Sequence, residues 1–120
     1  MILSTLISKV QEEKPNTFPD EKLVEYINEI EAEVAEQMHI DDVPVYVPTD
    51  LSPELIAPAP YDRLYVSYLT AMIDYANEEY ASYQLNQEQH TLDFQDFVNY
   101  VVREKQARYK LYPTRLRNVM

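Results

Sequence analysis

The 120-residue chain has no glycine, no cysteine and no tryptophan. The missing glycine excludes most. Motifs that bring backbone against a phosphate or build a strained nucleophile turn depend on glycine: the P-loop, the dinucleotide G-x-G-x-x-G and the G-x-S-x-G elbow. None of them can be written in this sequence. Glycine-dependent hairpin turns are absent too, which argues against a β-sandwich or barrel. Without cysteine there is neither a disulfide frame nor a thiolate metal site. Long apolar runs are lacking: the longest uncharged stretch, Leu64 to Ile73, is ten residues, too short to span a bilayer. The opening MILSTLISKV has no basic leader and no cleavage site, so a secretory signal is not expected. A single soluble, cytoplasmic, mostly helical domain is the expectation, long enough to bury about two-thirds of its unfolded surface.

Positive charge is scarce and unevenly placed. Residues 1–102 hold only Lys9, Lys14, Lys22 and Arg63 against twenty acids, a net −16. Residues 103–120 hold six basic side chains and only Glu104, a net +5. An acidic body repels nucleic acid at long range, whereas the tail has the opposite sign.

The apolar pattern predicts four helices. Ile2, Leu3, Leu6, Ile7 and Val10 form one stripe over 2–13, ended by Pro15. A second stripe, Leu23, Tyr26/Ile27, Ile30, Val34 and Met38, begins after Pro19, with Asp20 and Glu21 at the positive end of the helix dipole. Glu25, Glu29, Glu33 and Glu36 occupy its other face. Five of the eight prolines fall in 39–60 and exclude a continuous helix there; VPVYV could form a short edge strand. A third helix is predicted from Tyr61 to about Tyr83, apolar over more than half its surface and therefore central. The polar run QLNQEQ at 84–89 is expected to break it. A fourth helix spans about 89–110, with Leu92, Phe94, Phe97/Val98 and Val101/Val102 as its apolar positions. The fold class is therefore all-α: four helices, a long proline-rich loop between helices 2 and 3, one domain over 1–110 and an exposed basic tail over 111–120.

No catalytic constellation emerges. His39 with Asp41 and Asp42 lacks any metal-ligand spacing, and His90 with Asp93 and Asp96 reads as a polar helix terminus. The glutamates of the second helix face away from its apolar stripe, unlike the inward Glu-x-x-His pairs of di-metal bundles. No cofactor and no metal are expected. Eleven tyrosines are many, and seven are Tyr46 or lie between Tyr61 and Tyr83. Tyrosine suits surfaces that pack yet tolerate water, so Tyr46, Tyr61, Tyr65, Tyr68 and Tyr75 are candidate subunit contacts, with ordinary core packing as the alternative. The basic stretch, with Arg103, Arg108, Tyr109, Lys110, Tyr112, Arg115 and Arg117 as candidate docking residues, could touch nucleic acid, dock on an acidic partner or simply be a solvated C-terminus. Docking on an acidic neighbouring subunit is the preferred reading, since it needs no external partner.

The segments LISKVQEEKPNTFPDEKLVEYINEIEAEVAEQM and APAPYDRLYVSYLTAMIDYANEEYASYQ resemble the head–tail connector (head completion, adaptor) proteins of tailed phages and prophages. The resemblance covers about residues 3–100. It rests on KPN-x-F before the acidic helix and on PYD-x-LYV-x-YL-x-AMID-x-AN-x-E at the third. It implies a non-enzymatic virion subunit, made in the host cytoplasm. Copies would join in a ring, usually of twelve, below the portal protein, extend the DNA channel and present a platform to stopper or tail-completion proteins. The basic tail would grip the portal, and Glu25, Glu29, Glu33 and Glu36 would line a channel past which double-stranded DNA slides without sequence-specific binding. No membrane partner is expected. The competing expectation is an acidic DNA mimic that occupies a DNA-binding enzyme or repressor; the basic tail counts against it.

Overall fold

The structure, a computed structural model, describes residues 1–110, with the backbone alone at Tyr109 and Lys110. Among these residues the chain is all-α. Its helices are α1 (Leu3–Glu13), α2 (Asp20–Gln37), α3 (Arg63–Ala76) and α4 (Tyr80–Lys110). Pairing outside the helices is limited to the isolated bridges Ile2–Glu54 and Val47–Asp50, so VPVYV does not join a sheet. The expected tail residues Tyr112, Arg115 and Arg117 lie outside the described residues.

α1 starts at an apolar N-cap, Ile2, whose side chain caps nothing. Its first N–H groups find partners elsewhere in the chain: Leu3 and Ser4 donate to the carbonyls of Pro53 and Leu51 at 2.9 and 3.0 Å. The Leu55 N–H in turn donates to the Met1 carbonyl at 2.9 Å. Donors that a helix start leaves unpaired thereby tie the proline-rich connection to α1. The turn into α2 is held by side-chain amides. Gln11 bonds both the N–H and the carbonyl of Asn16, and Asn16 Oδ1 accepts the Phe18 N–H.

Absence of glycine leaves its mark at two helix ends. After α2, the Ile40 N–H reaches the Ala35 carbonyl and the His39 N–H reaches Glu36; after α3, Glu79 reaches Asp74 and Glu78 reaches Tyr75. Both are Schellman closures, which put the residue after the cap in the left-handed region where glycine is favoured. Here His39 (φ 56°) and Glu78 (φ 59°) take that place.

The second of these closures corrects the sequence reading. The third helix stops at Ala76 rather than near Tyr83, and QLNQEQ lies inside α4. Glutamine, leucine and glutamate all favour helix even in a largely polar run, whereas the left-handed turn at Glu78 carries no glycine or proline to announce it. α3 is the central element: Leu64, Tyr65, Leu69 and Ile73 are fully buried, and the helix packs against α1, α2 and α4. The core gathers Leu3, Leu6 and Val10 of α1, Leu23, Ile27, Ile30 and Val34 of α2, and Phe97 of α4 around it. α4 departs from expectation in a second way. Leu92 is 62% exposed, and the positions facing inward include His90, Asp93 and Phe97. The 31-residue helix is about 46 Å long, and residues 102–108 are all exposed beyond the core.

Candidate functional site

The most unusual group in the interior is Glu31. It sits on α2 four residues after Ile27 and is fully buried. Its carboxylate accepts three hydrogen bonds: from Tyr65 Oη at 2.5 Å, from Tyr46 Oη at 2.7 Å and from the Ile56 N–H at 3.1 Å. Tyr65 Oη also accepts the Ala57 N–H at 2.9 Å. A buried carboxylate needs such donors in place of water. Burial and the neighbouring Glu31 carboxylate push the phenols of both Tyr46 and Tyr65 well above their ordinary range, so each stays protonated and donates. The network draws residues 46–57 against α2 and α3.

A second buried carboxylate, Asp74, closes the other end of α3. Ser82 Oγ and Asn86 Nδ2 donate to Oδ2 at 2.7 and 2.6 Å, and Lys14 Nζ lies 2.7 Å from Oδ1. Burial pushes this carboxyl up, but the Lys14 ammonium and the hydrogen bonds from Ser82 and Asn86 outweigh it and hold it below its ordinary value. Lys14 also reaches Glu79, and the two carboxylates raise its ammonium above its ordinary value.

His90 is neither at a helix terminus nor on a surface. It is 7% exposed, in the body of α4, with Nδ1–H donating to the Leu64 carbonyl at 3.0 Å and Ser67 Oγ at 3.4 Å. Burial lowers its pKa despite the Leu64 carbonyl and Asp93. Asp93 and Asp96, which share the helical spacing of His90, pair with Arg63 at 3.7 and 3.1 Å. His39 accepts from Lys105 Nζ at 2.7 Å. Among the described residues no group of three or more histidine, cysteine or acidic side chains is arranged to hold a metal ion. Nor is any described helix long and apolar enough to cross a membrane.

The candidate surface residues separate into two sets. Glu25, Glu29, Glu33 and Glu36 are all exposed along α2, and Glu29 accepts from Tyr68 Oη at 3.0 Å. Tyr46 and Tyr65, expected as subunit contacts, have their side chains inside this chain, committed to Glu31. Tyr61 and Tyr68 are half-buried, and Tyr75 is exposed beside Tyr80 and Tyr83 at the α3–α4 corner. Tyr61 stacks on Tyr100 at 4.6 Å and accepts from Arg103 at 2.9 Å, so Arg103 braces α4 against the end of the proline-rich connection. Arg108 is exposed and lines a small groove with Met38, Tyr100 and Lys105. A larger open groove of about 510 Å³ runs between α1 and α4 over α3, lined by Lys9, Glu13, Arg63, Ser67, Gln89 and Asp93 among others. Its lining mixes both signs of charge, and its buried polar groups already bond within the chain.

Glu31 and Asp74 escaped the sequence reading, yet Glu31 had a signal. It falls within the apolar stripe of α2, between Ile30 and Val34, where a solvated glutamate has no place. Comparisons with family models, curated proteins and solved structures find no match.

Proposed function

We propose that this chain is a structural subunit of a phage head–tail connector. In this reading copies join in a ring, usually of twelve in the family it resembles, below the portal, extend the DNA channel and carry stopper or tail-completion proteins. The chain acts by assembly and not by catalysis. The observation that carries the reading is the separation of charge over one helical body. Glu25, Glu29, Glu33 and Glu36 stand exposed in a row on α2, while Arg103, Lys105 and Arg108 stand exposed on the projecting end of α4. A row of carboxylates lets a duplex pass without neutralising its phosphates or releasing counterions. Opposite charges on two patches of one subunit suit the head-to-tail contact from which a ring is closed. Tyr61, Tyr68 and Tyr75 are then the tyrosines on offer at subunit contacts. The basic residues Arg103, Arg108, Lys110, Arg115 and Arg117, with Tyr109 and Tyr112 among them, form the portal-docking element.

Electron microscopy of the purified full chain, alone and mixed with portal protein, tests this. Rings, or added density on the portal, are expected, with loss of portal binding when Arg103, Arg108, Arg115 and Arg117 are changed together to glutamate. A monomer that ignores the portal and instead binds a soluble DNA-binding protein with steep salt dependence would favour the DNA-mimic alternative.

A further inference from the structure

The segment 43–47 carries an ordered, uncovered backbone edge. Asn28 Oδ1 accepts the Tyr46 N–H at 2.8 Å and Asn28 Nδ2 donates to the Tyr46 carbonyl at 3.0 Å. One amide can bond both groups of a residue only where they point to the same side, which is the extended conformation of a strand. Asn28 thus stands where a neighbouring strand would. The Tyr46 side chain is anchored inward on Glu31, and exposure alternates along the segment: Val45 is 78% exposed, Tyr46 6% and Val47 48%. Val43 and Val47 each precede a proline, which also favours extended backbone.

The placement of the prolines is informative. Sheet edges are commonly blunted by proline, which offers no N–H to a newcomer. In V-P-V-Y-V-P the prolines, Pro44 and Pro48, share the parity of Tyr46 and so belong to the edge already closed by Asn28. The outward edge falls to valines. Among the described residues Val45 N–H, Val45 C=O and Val47 N–H make no hydrogen bond, while the Val47 carbonyl accepts the Asp50 N–H at 3.2 Å. Asp41, Asp42 and Asp50 flank this edge, all exposed.

We propose that residues 43–47 form a docking edge for an extended, basic peptide strand of a partner protein, which adds to Val45 and Val47 by backbone hydrogen bonds and lays apolar side chains on the valines. Strand addition draws affinity from main-chain bonds and specificity from alternate side chains. Charge selects the partner: the flanking aspartates attract lysine or arginine and repel a second copy of the same edge. The inference stands on this edge and does not require the connector reading.

The test is amide hydrogen exchange by NMR on the ¹⁵N-labelled full chain, with the acetylated peptide KVKVKVK as probe. Saturating peptide is expected to slow exchange at Val45 and Val47 by about tenfold or more. The same peptide N-methylated at alternate residues, equal in charge but unable to pair, is expected to leave both unchanged. Val45→Lys, which keeps the backbone and adds a repelling charge, is expected to weaken the effect. Equal protection by the methylated peptide would overturn strand addition in favour of plain charge attraction, and no protection by either would overturn the site. Protection already present without peptide also overturns an external partner. If it fades on dilution the occupant is a second copy; if it does not, the chain's own residues 111–120 cover the edge.

Discussion

Tyr65→Phe removes one oxygen atom from the interior, and the structure says what that atom holds. Its hydroxyl donates to the Glu31 carboxylate at 2.5 Å and accepts the Ala57 N–H at 2.9 Å, with Tyr65 and Ala57 both fully buried. Loss of a hydrogen bond to a charged group costs about 1.5–3 kcal/mol, and a buried N–H left without a partner costs about 1–3 kcal/mol. Together they set an expected loss of about 3–5 kcal/mol, a large part of the roughly 5–15 kcal/mol that stabilises a domain. Tyr46→Phe is the internal comparison. Glu31 Oε2 keeps the Ile56 N–H when the Tyr46 hydroxyl goes, and no N–H is orphaned, so about 1.5–2 kcal/mol is expected. Urea unfolding followed by far-ultraviolet circular dichroism, at equal m-value, measures both. Tyr65→Phe within 1 kcal/mol of wild type, or less costly than Tyr46→Phe, refutes the assignment of Glu31 as the centre of the network. A Glu31→Leu/Tyr65→Phe pair should cost less than the sum of its single changes, because removing both partners leaves no stranded charge.

Glu78→Gly should stabilise the chain by about 0.5–1 kcal/mol, read by thermal unfolding, since glycine enters the left-handed turn after α3 without the steric cost of a Cβ; Glu78→Val should do the reverse. Stability should also depend on pH at three points. His90 has a lowered pKa, so its contribution is whole above 6.5 and declines as pH falls below it, when the unfolded chain takes up a proton that the folded one refuses. The lowered Asp74 carboxyl adds a second loss below about 3.8, and the raised Lys14 ammonium a loss above about 10.5. Denaturant midpoints across pH should therefore show the His90 step, and His90→Gln, which cannot titrate, should remove it.

The helices of the first half were legible because their inward residues are apolar. α1 and α2 were expected over 2–13 and from Pro19 to about 38, and the structure places them within a residue or two of those limits. Their stripes, ended by Pro15 and opened by Pro19, leave little choice of register. α4 was harder to read because its inward stripe runs through Asn86, His90 and Asp93, while Leu85 and Leu92 face solvent. A pattern search for apolar periodicity aims such a helix wrongly. The partners that make polar residues welcome inside are remote in sequence: the Leu64 carbonyl, Arg63 and Asp74 all belong to α3. Glu31 is the intermediate case. Its place in the apolar stripe signalled burial, but its donors, Tyr46, Ile56 and Tyr65, come from three points that only the folded connection brings together.

The polar stripe has a consequence for how α4 is set on α3. Apolar ridges tolerate a slip of one turn at modest cost, because leucine packs almost as well against the next leucine. Directional bonds do not. Arg63 to Asp93 and Asp96 at one end of α3, His90 to Leu64 beside it, and Asp74 to Ser82 and Asn86 at the other end fix the register over the length of the shorter helix. Displacing α4 by one turn, about 5.4 Å, would break all of them at once and leave the buried Asp93 without Arg63. Arg103 to Tyr61 and Lys105 to His39 then steady the helix beyond Val101, the last described apolar residue of α4 that packs on the core. The exposed basic end is thereby aimed by the core, not left to hang from it. The docking element proposed for this end needs a defined direction as much as it needs charge, and the polar interior between α3 and α4 sets the direction of the helix that would carry it.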